Sequence, residues 1–237
     1  MAKSKKRLTL PPFPRSGQST AQEYAYGRLR HSLMIGAIAP GQQLTIRKIA
    51  DALGLSPTPV REALRRLSSE NAVAVMENRR IMVPNMTVAR FEELVSLRAA
   101  LETHAAKRAI PYINKMCIDE IERIDDLMDE AVEKREYESI VKLNQRFHSA
   151  IYLANPEQVA LPMIESVWLQ LGPFLGVAAQ HVEEVYLVDR HKETIEALRR
   201  RDALTLGMAV EADVYDGVSH LGRGVLKKIL GVTDTET

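Results

Sequence analysis

The sequence predicts a mainly α protein in two parts: three short helices closed by a two-stranded hairpin, then an all-α antiparallel helical bundle. Three observations carry this. Apolar residues recur at helical spacing along nearly the whole chain, and β-prone runs occur in one place only, around residues 73–83. The charge is divided: residues 1–90 hold 15 Lys/Arg against 5 Asp/Glu, and residues 91–237 hold 17 against 26, although the whole chain is only +1. Opposite signs on two halves point to a module that faces nucleic acid joined to another of different purpose. With 237 residues, 46% of them hydrophobic, each part has material for its own core. A single cysteine, Cys117, excludes an internal disulfide and any cysteine-rich zinc finger. No apolar run approaches the length of a membrane span, and the basic N-terminus has no apolar core of a secretion signal, so a cytoplasmic chain without membrane contact is expected.

Residues 1–18 read as a disordered basic arm, because Lys3, Lys5, Lys6 and Arg7 repel one another and Pro11, Pro12 and Pro14 interrupt helix and sheet. A helix is expected from Ser19 to Ile38, ending before Ala39-Pro40-Gly41. Ile46, Ile49, Ala50 and Leu53 mark a short amphipathic helix stopped by Gly54. In Ser56-Pro57-Thr58-Pro59 either hydroxyl can cap the next helix, which buries Val60, Ala63, Leu64 and Leu67 and ends near Asn71. Residues 73–76 and 81–83 form a hairpin with Arg79 and Arg80 near its tip. Residues 84–87 are the linker. The domain limits are therefore 19–86 and 87–231, with a tail at 232–237. Beyond the linker, breaks at Pro111, Asn155-Pro156, 176–181 and Arg201-Asp202 divide apolar stripes into about six helices.

A helix-turn-helix needs one helix to brace and a second to offer its first residues to the major groove. The span TIRKIADALGLSPTPVREALRRL, residues 45–67, supplies both. With the apolar positions turned inward, Thr58, Arg61 and Arg65 share the outer face. Arg61 is placed for a bidentate contact to guanine and Thr58 for a phosphate or a thymine methyl. Arg47 opens the bracing helix, where a cation and the helix's free amides grip phosphate together. Arg79 and Arg80 on the wing suit a minor-groove or backbone contact. Any one of these arginines alone reads as a solvated charge; their arrangement with a local excess of +10 reads as a winged helix-turn-helix.

Residues 20–85 also resemble the winged-helix domain of GntR-type bacterial transcription regulators. The carrying stretches are PGQQL, TIRKIADALGLS and SPTPVREALRRLSSENAV. The resemblance implies DNA contacts at Arg47, Thr58 and Arg61. Three stretches depart from the family pattern: Pro57 where arginine usually follows the turn serine, Glu70-Asn71-Ala72-Val73 in place of Glu-Gly-Leu-Val, and Asn78 at the wing tip where glycine is common.

In the bundle, polar residues interrupt apolar stripes. Arg98 lies in line with Phe91, Leu94 and Leu101; Asn144 and His148 share a face with Ile140, Phe147 and Ile151; His191 goes with Val188, Ile195 and Leu198; Asp213 goes with Leu206 and Val210. One inward histidine is ordinarily a satisfied core residue, and Arg98 has an i+4 partner in Glu102, so a buried ion pair and a ligand contact are both open for it. Such positions together point to a site, because polar groups in a helical core are costly unless they bind something. Two histidines with a carboxylate or amide oxygen on three helices have the chemistry for zinc or another divalent metal: Asn144, His148, His191 and Asp213.

Residues 90–230, through LRAALETHAAKRAI, LNQRFHSAIYLANP and RHKETIEALRRRDALTLGMAVEAD, resemble the all-helical effector (FCD) domain of the FadR-like branch. The resemblance implies a divalent metal held by one Asp or Asn and three His, with a small carboxylate beside it. Asn144 falls on the first of these, His148 and His191 on two histidines, and Asp213 on the place of the last; Arg98 falls on the arginine that meets the carboxylate, with Asn144 beside it. The expectation is a ligand-responsive transcription regulator, repressing as a homodimer on a double-stranded operator and sensing a small organic acid. Two alternatives stand beside it: a metal-dependent hydrolase using His148, His191 and Asp213, and a constitutive DNA binder whose pocket has decayed.

Overall fold

The computed structural model describes residues 8–15, 17–76, 80–179 and 190–230, of which 178–179 and 218–230 are described as backbone only. Its order is α1 (Ala21–Met34), β1 (Gln43–Leu44), α2 (Ile46–Leu53), α3 (Pro57–Ser69), β2 (Ala74–Val75), β3 (Ile81–Met82), α4 (Val88–Ala109), a 3-10 turn (Ile110–Tyr112), α5 (Lys115–Glu133), α6 (Tyr137–Tyr152), α7 (Leu161–Ala179), α8 (His191–Arg200) and α9 (Ala203–Leu230). The chain divides into two compact units, Met1–Met86 with Leu169–Val177, and Thr87–Trp168 with Ala178–Thr237.

In the first unit α1 begins with a reciprocal cap: the Thr20 hydroxyl accepts from the Glu23 amide while the Glu23 side chain accepts from the Thr20 amide. Thr45 caps α2, which ends at Gly54 with φ +66, a left-handed conformation that an L side chain adopts only with strain. Pro57 occupies the first turn of α3, where its missing N–H would have no partner in any case. Ser56 stands at the N-cap without a side-chain hydrogen bond, so its backbone alone makes that cap. Asn71 ends the region at φ +58. The core is built from Leu29, Leu33, Ile49, Ala50, Val60, Ala63, Leu64 and Leu67, all buried.

The hairpin is part of a three-stranded sheet in the order β1-β3-β2, with Gln43 opposite Met82 and Ala74 opposite the same residue. The third strand, β1, was not expected: two residues are too short to show alternation. The arm expected at residues 1–18 is also packed where it is described. Leu10 is buried, its carbonyl accepts from the Arg28 guanidinium, and Phe13 lies against Gly27 and the His31 ring. Two apolar side chains on a proline-stiffened backbone find a surface at little entropic expense, because the unfolded stretch was already restricted.

In the second unit α4 packs on α9, α5 on α6, and α8 on α9. Thr87 caps α4 and Asn114 caps α5. Buried residues include Phe91, Leu94, Ile121, Ile124, Met128, Phe147, Ile151, Ile164, Leu198, Leu206 and Val210. Polar residues sit at full depth among them: Arg98, Glu102, Asp125, His148, His191 and Asp213.

Candidate nucleic-acid interface and metal centre

On α3 the buried residues Val60, Ala63, Leu64 and Leu67 take one side, which leaves Thr58, Arg61 and Arg65 exposed on the other. Arg47 is exposed in the first turn of α2. Arg65 carries an ion pair to Glu62 at 2.8 Å that solvent weakens, so it can be exchanged for another acceptor. Arg66, its neighbour, is committed elsewhere. Its guanidinium lies 3.7 Å from the centre of the Tyr26 ring and bonds Glu70, which also accepts from the Tyr26 hydroxyl at 2.7 Å. Burial, then Glu70, pushes the Tyr26 phenol up to about 12. This cluster ties α3 to α1. Arg80 is exposed beside β3 and donates to Gln43. Arg79 lies outside the described residues.

The second site is entirely within the helical unit. Helix α6 turns Asn144, His148 and Tyr152 to one face at i, i+4 and i+8. His191 is the first residue of α8, and its ring stacks on Phe147 with centroids 3.7 Å apart. Asp213 comes from α9 and is oriented by the Arg190 backbone amide, which donates to Oδ1 at 2.9 Å. His148, His191 and Asp213 are buried, and one ligand atom from each lies within 4.8 Å of the others.

The proton positions follow from the partners. The carboxylate of Asp125, on α5, is 2.8 Å from His191 Nδ1, so that nitrogen donates and Nε2 keeps its lone pair. The Tyr152 hydroxyl donates to Glu102 Oε2 at 2.7 Å and has no second proton, so His148 Nδ1, 3.2 Å away, donates to the Tyr152 oxygen. Both imidazoles therefore present Nε2 toward Asp213. His148 Nε2 is 3.0 Å from Asp213 Oδ2 but out of line for a hydrogen bond, and this buried atom has no hydrogen-bond partner. A hydrogen on it would not point at the carboxylate; a cation between the two satisfies both. Hydrogen bonds that fix the far nitrogen of each ring are what metal-binding histidines require. The residues present thus fit a divalent ion.

Asn144 lies beside this set with Nδ2 3.5 Å from His191 Nε2. As an oxygen ligand its amide has to turn over. Arg98 does not face an open position: its Nε donates to Glu102 Oε1 at 2.6 Å, and the Trp168 indole N–H donates to the same oxygen at 2.7 Å. Of the two roles open for Arg98, the structure holds the ion pair. Burial alone would raise the Glu102 carboxyl, but Arg98, His148 and the hydrogen bonds from Arg98 and Tyr152 outweigh it and hold the group below its ordinary value. Asp213 is likewise pushed up by burial and pulled well below the carboxylate range by the Arg190 amide and by the two imidazoles, which attract it when a proton rather than a cation sits on Nε2. Asp125 is lowered by His191 and Lys192 against its own burial.

Sequence periodicity did not find Asp125, Tyr152 or Trp168 as members of the centre. Asp125 was visible in principle, as a polar residue one turn from Ile121 on a buried stripe. Tyr152 and Trp168 count as apolar in any such pattern, although it is their polar atoms that matter here.

Two family models match the chain: "Bacterial regulatory proteins, gntR family" over residues 21–83 and the FCD domain over residues 93–214. The HTH-type transcriptional regulator McbR of Escherichia coli K12 is 32% identical over 177 residues, 73% of this chain and 80% of that protein. The gluconate operon transcriptional repressor of Bacillus subtilis is 25% identical over 229 residues, 91% and 92% of the two chains. A solved structure of E. coli McbR/YncC superposes with a TM-score of 0.80 at 28% identity, covering 86% of this chain and 98% of that one. These relatives leave the hydrolase alternative without support. No helix among the described residues is long and apolar enough to cross a membrane. A winged-helix head with an exposed cationic face, followed by a helical FCD unit, identifies the chain as a member of the gntR family of bacterial regulatory proteins and a DNA-binding transcription regulator.

Proposed function

We propose that this regulator is a homodimeric repressor that holds a divalent cation in its helical unit and responds to a small organic acid bound beside that cation. Each winged helix contacts DNA through Arg47, Thr58, Arg61, Arg65 and the basic wing with Arg79 and Arg80. One such head gives a limited footprint, and two on a two-fold symmetric operator supply the affinity and specificity a repressor needs.

The carrying observation is the unpartnered Nε2 of buried His148 facing a carboxylate, with both imidazoles held in the tautomer that offers Nε2. His148, His191 and Asp213 would hold the ion, with Asn144 as a fourth ligand through Oδ1. The bound ion would supply a positive centre for an acid oxygen. The residues around it orient the ligands and keep water out. An acid shifts DNA affinity only by binding the DNA-competent and DNA-released arrangements unequally.

The experiment is metal analysis of the purified chain beside His148→Ala, followed by operator binding with and without added zinc and organic acids. Metal in the wild type, little in the variant, and acid-dependent release of DNA are expected. Equal metal content in both proteins refutes the site. DNA binding that ignores metal and acid alike leaves the constitutive binder.

A further inference from the structure

More of the head's positive excess sits in its N-terminal arm than in the winged helix itself. Residues 1–18 hold five Lys/Arg and no Asp/Glu, whereas residues 19–86 hold nine against five. Two of those nine are committed to structure. Arg28 donates to the Tyr24 hydroxyl at 2.7 Å and to the Leu10 carbonyl at 3.0 Å, and Arg66 is held by the Tyr26 ring and Glu70. A DNA duplex carries one negative charge per about 1.7 Å of its axis, and affinity grows with the number of phosphates a protein neutralises. The arm is therefore a large part of the charge the head can offer.

The arm also has a seat. Leu10 is 4% exposed, and its carbonyl is the one that Arg28 holds. Phe13 lies in a notch of α1 that exists because residue 27 is glycine: a Cβ there would stand 2.9 Å from ring carbon Cε1. The same ring lies beside His31, with centroids 5.6 Å apart. The Arg15 guanidinium sits 5.1 Å from the centre of the Tyr24 ring. A tail that served only solubility would need none of these contacts. The helix that carries the seat, α1, is the one that packs on the reading helix α3. Lys3, Lys5, Lys6 and Arg7 precede the seat and lie outside the described residues. Chain length alone bounds their reach: at about 3.6 Å per residue at most, Arg7 stays within about 11 Å of Leu10 and Lys3 within about 25 Å. Fastened at Leu10, these cations stay at high local concentration beside the head whenever it meets a duplex.

We propose that the N-terminal arm is a second DNA-binding element of this regulator: Leu10 and Phe13 seat it on α1, and Lys3, Lys5, Lys6 and Arg7 neutralise phosphates that the helix-turn-helix and the wing do not reach. Its partner is the backbone of duplex DNA, so the arm adds affinity and salt dependence without base preference. The chain's own acidic part, residues 91–237 with 17 Lys/Arg against 26 Asp/Glu, spreads its charge far more thinly than a duplex does. An arm held there would compete with DNA, and the sign of the effect separates the two. The proposal rests on the DNA-binding role of the head and is independent of the metal centre. Wild-type affinity tests that role, and the arm variants test the arm.

The test uses the full chain as wild type, an arm-neutral variant (Lys3→Gln, Lys5→Gln, Lys6→Gln and Arg7→Gln together), Phe13→Ala, and the two combined. Affinity for the promoter fragment upstream of the gene and for an unrelated duplex is measured by fluorescence anisotropy at several salt concentrations, with circular dichroism confirming the fold. The arm-neutral variant is expected to lose at least about tenfold on both DNAs near 0.1 M salt, and its slope of log affinity against log salt to fall by about 2–4 per chain. Phe13→Ala, which keeps every charge but empties the seat, is expected to lose severalfold, and the combined variant to bind as the arm-neutral one does. Gly27→Leu fills the notch from the other side with a good helix former, so it is expected to weaken binding as Phe13→Ala does without loosening α1. Unchanged affinity and slope in the arm-neutral variant overturn the proposal, and tighter binding places the arm on the acidic unit instead. A loss confined to the promoter fragment overturns the backbone contact. A Phe13→Ala loss that is absent, or that persists undiminished in the arm-neutral background, overturns the seating.

Discussion

Asp125→Asn separates a metal centre from a merely hydrogen-bonded core. Asp125 is buried and accepts from two donors, His191 Nδ1 and Lys192 Nζ, each at 2.8 Å. The amide keeps the shape but loses the charge, and its one oxygen can serve only one donor. Whichever it serves, an N–H group faces the other. Lys192 retains Asp129 at 3.1 Å, and the His191 ring retains its stacking on Phe147, so the fold has other support. What is lost is the hold on the His191 tautomer and the basicity of Nε2. Losing such a partner typically weakens metal binding by about 10–100-fold, roughly 1.4–2.8 kcal/mol. The stacked ring places the expected loss toward the lower end. Zinc affinity is measured by competition with a chromophoric chelator at pH 7, with circular dichroism confirming the fold. Asp129→Asn is the control: it touches Lys192 from an exposed position and is expected to change zinc affinity less than about twofold, as exposed ion pairs contribute little. Equal zinc affinity in the two variants would refute the reasoning.

On the DNA side, Arg61→Ala is expected to cost about 1–3 kcal/mol per head in operator binding and to relax the sequence preference at one position, read by titration against point-substituted operators. Arg47→Ala is expected to weaken binding evenly across sequences and to lower the salt slope by about 1 per head. Gly54→Ala meets open space but a φ of +66, so a loss of about 1–2 kcal/mol is expected in urea unfolding, with DNA contacts untouched. In metal-free protein the lowered Glu102 carboxyl contributes stability that is present above its unfolded value of about 4.3 and is lost as pH falls through the lower folded value. Glu102→Gln is therefore expected to flatten the acid limb of the stability curve, and an unchanged limb would contradict the assignment.

The winged helix was legible because its signals are local. Thr45, Gly54, Ser56-Pro57 and the spacing of Val60, Ala63, Leu64 and Leu67 each act within a few residues of where they stand. The strand β1 was not, since Gln43 and Leu44 become a strand only by meeting Met82 and Ile81, far along the chain. The same distinction runs through the buried centre. Asn144, His148, His191 and Asp213 stood out as polar interruptions of apolar stripes, which periodicity reports. What surrounds those residues was hidden, because the bonds from His191 to Asp125 and from Tyr152 and Trp168 to Glu102 span 50 or 66 residues and depend on helix packing. For Arg98, the local i+4 partner proved decisive, and Glu102 was already in view. Neighbouring Arg65 and Arg66 look alike in sequence; only the Tyr26 ring, placed by α1, divides a solvent-facing arginine from a structural one.

The most direct test of the account is the affinity of the full chain for the promoter fragment upstream of its own gene, measured across a range of salt concentrations for wild type and Arg61→Ala. Tight binding by the wild type, with a logarithm that falls steeply and linearly against the logarithm of salt, is predicted, with Arg61→Ala weakened on that fragment more than on unrelated DNA. Binding that is absent, insensitive to salt, or equally affected on both DNAs would contradict it.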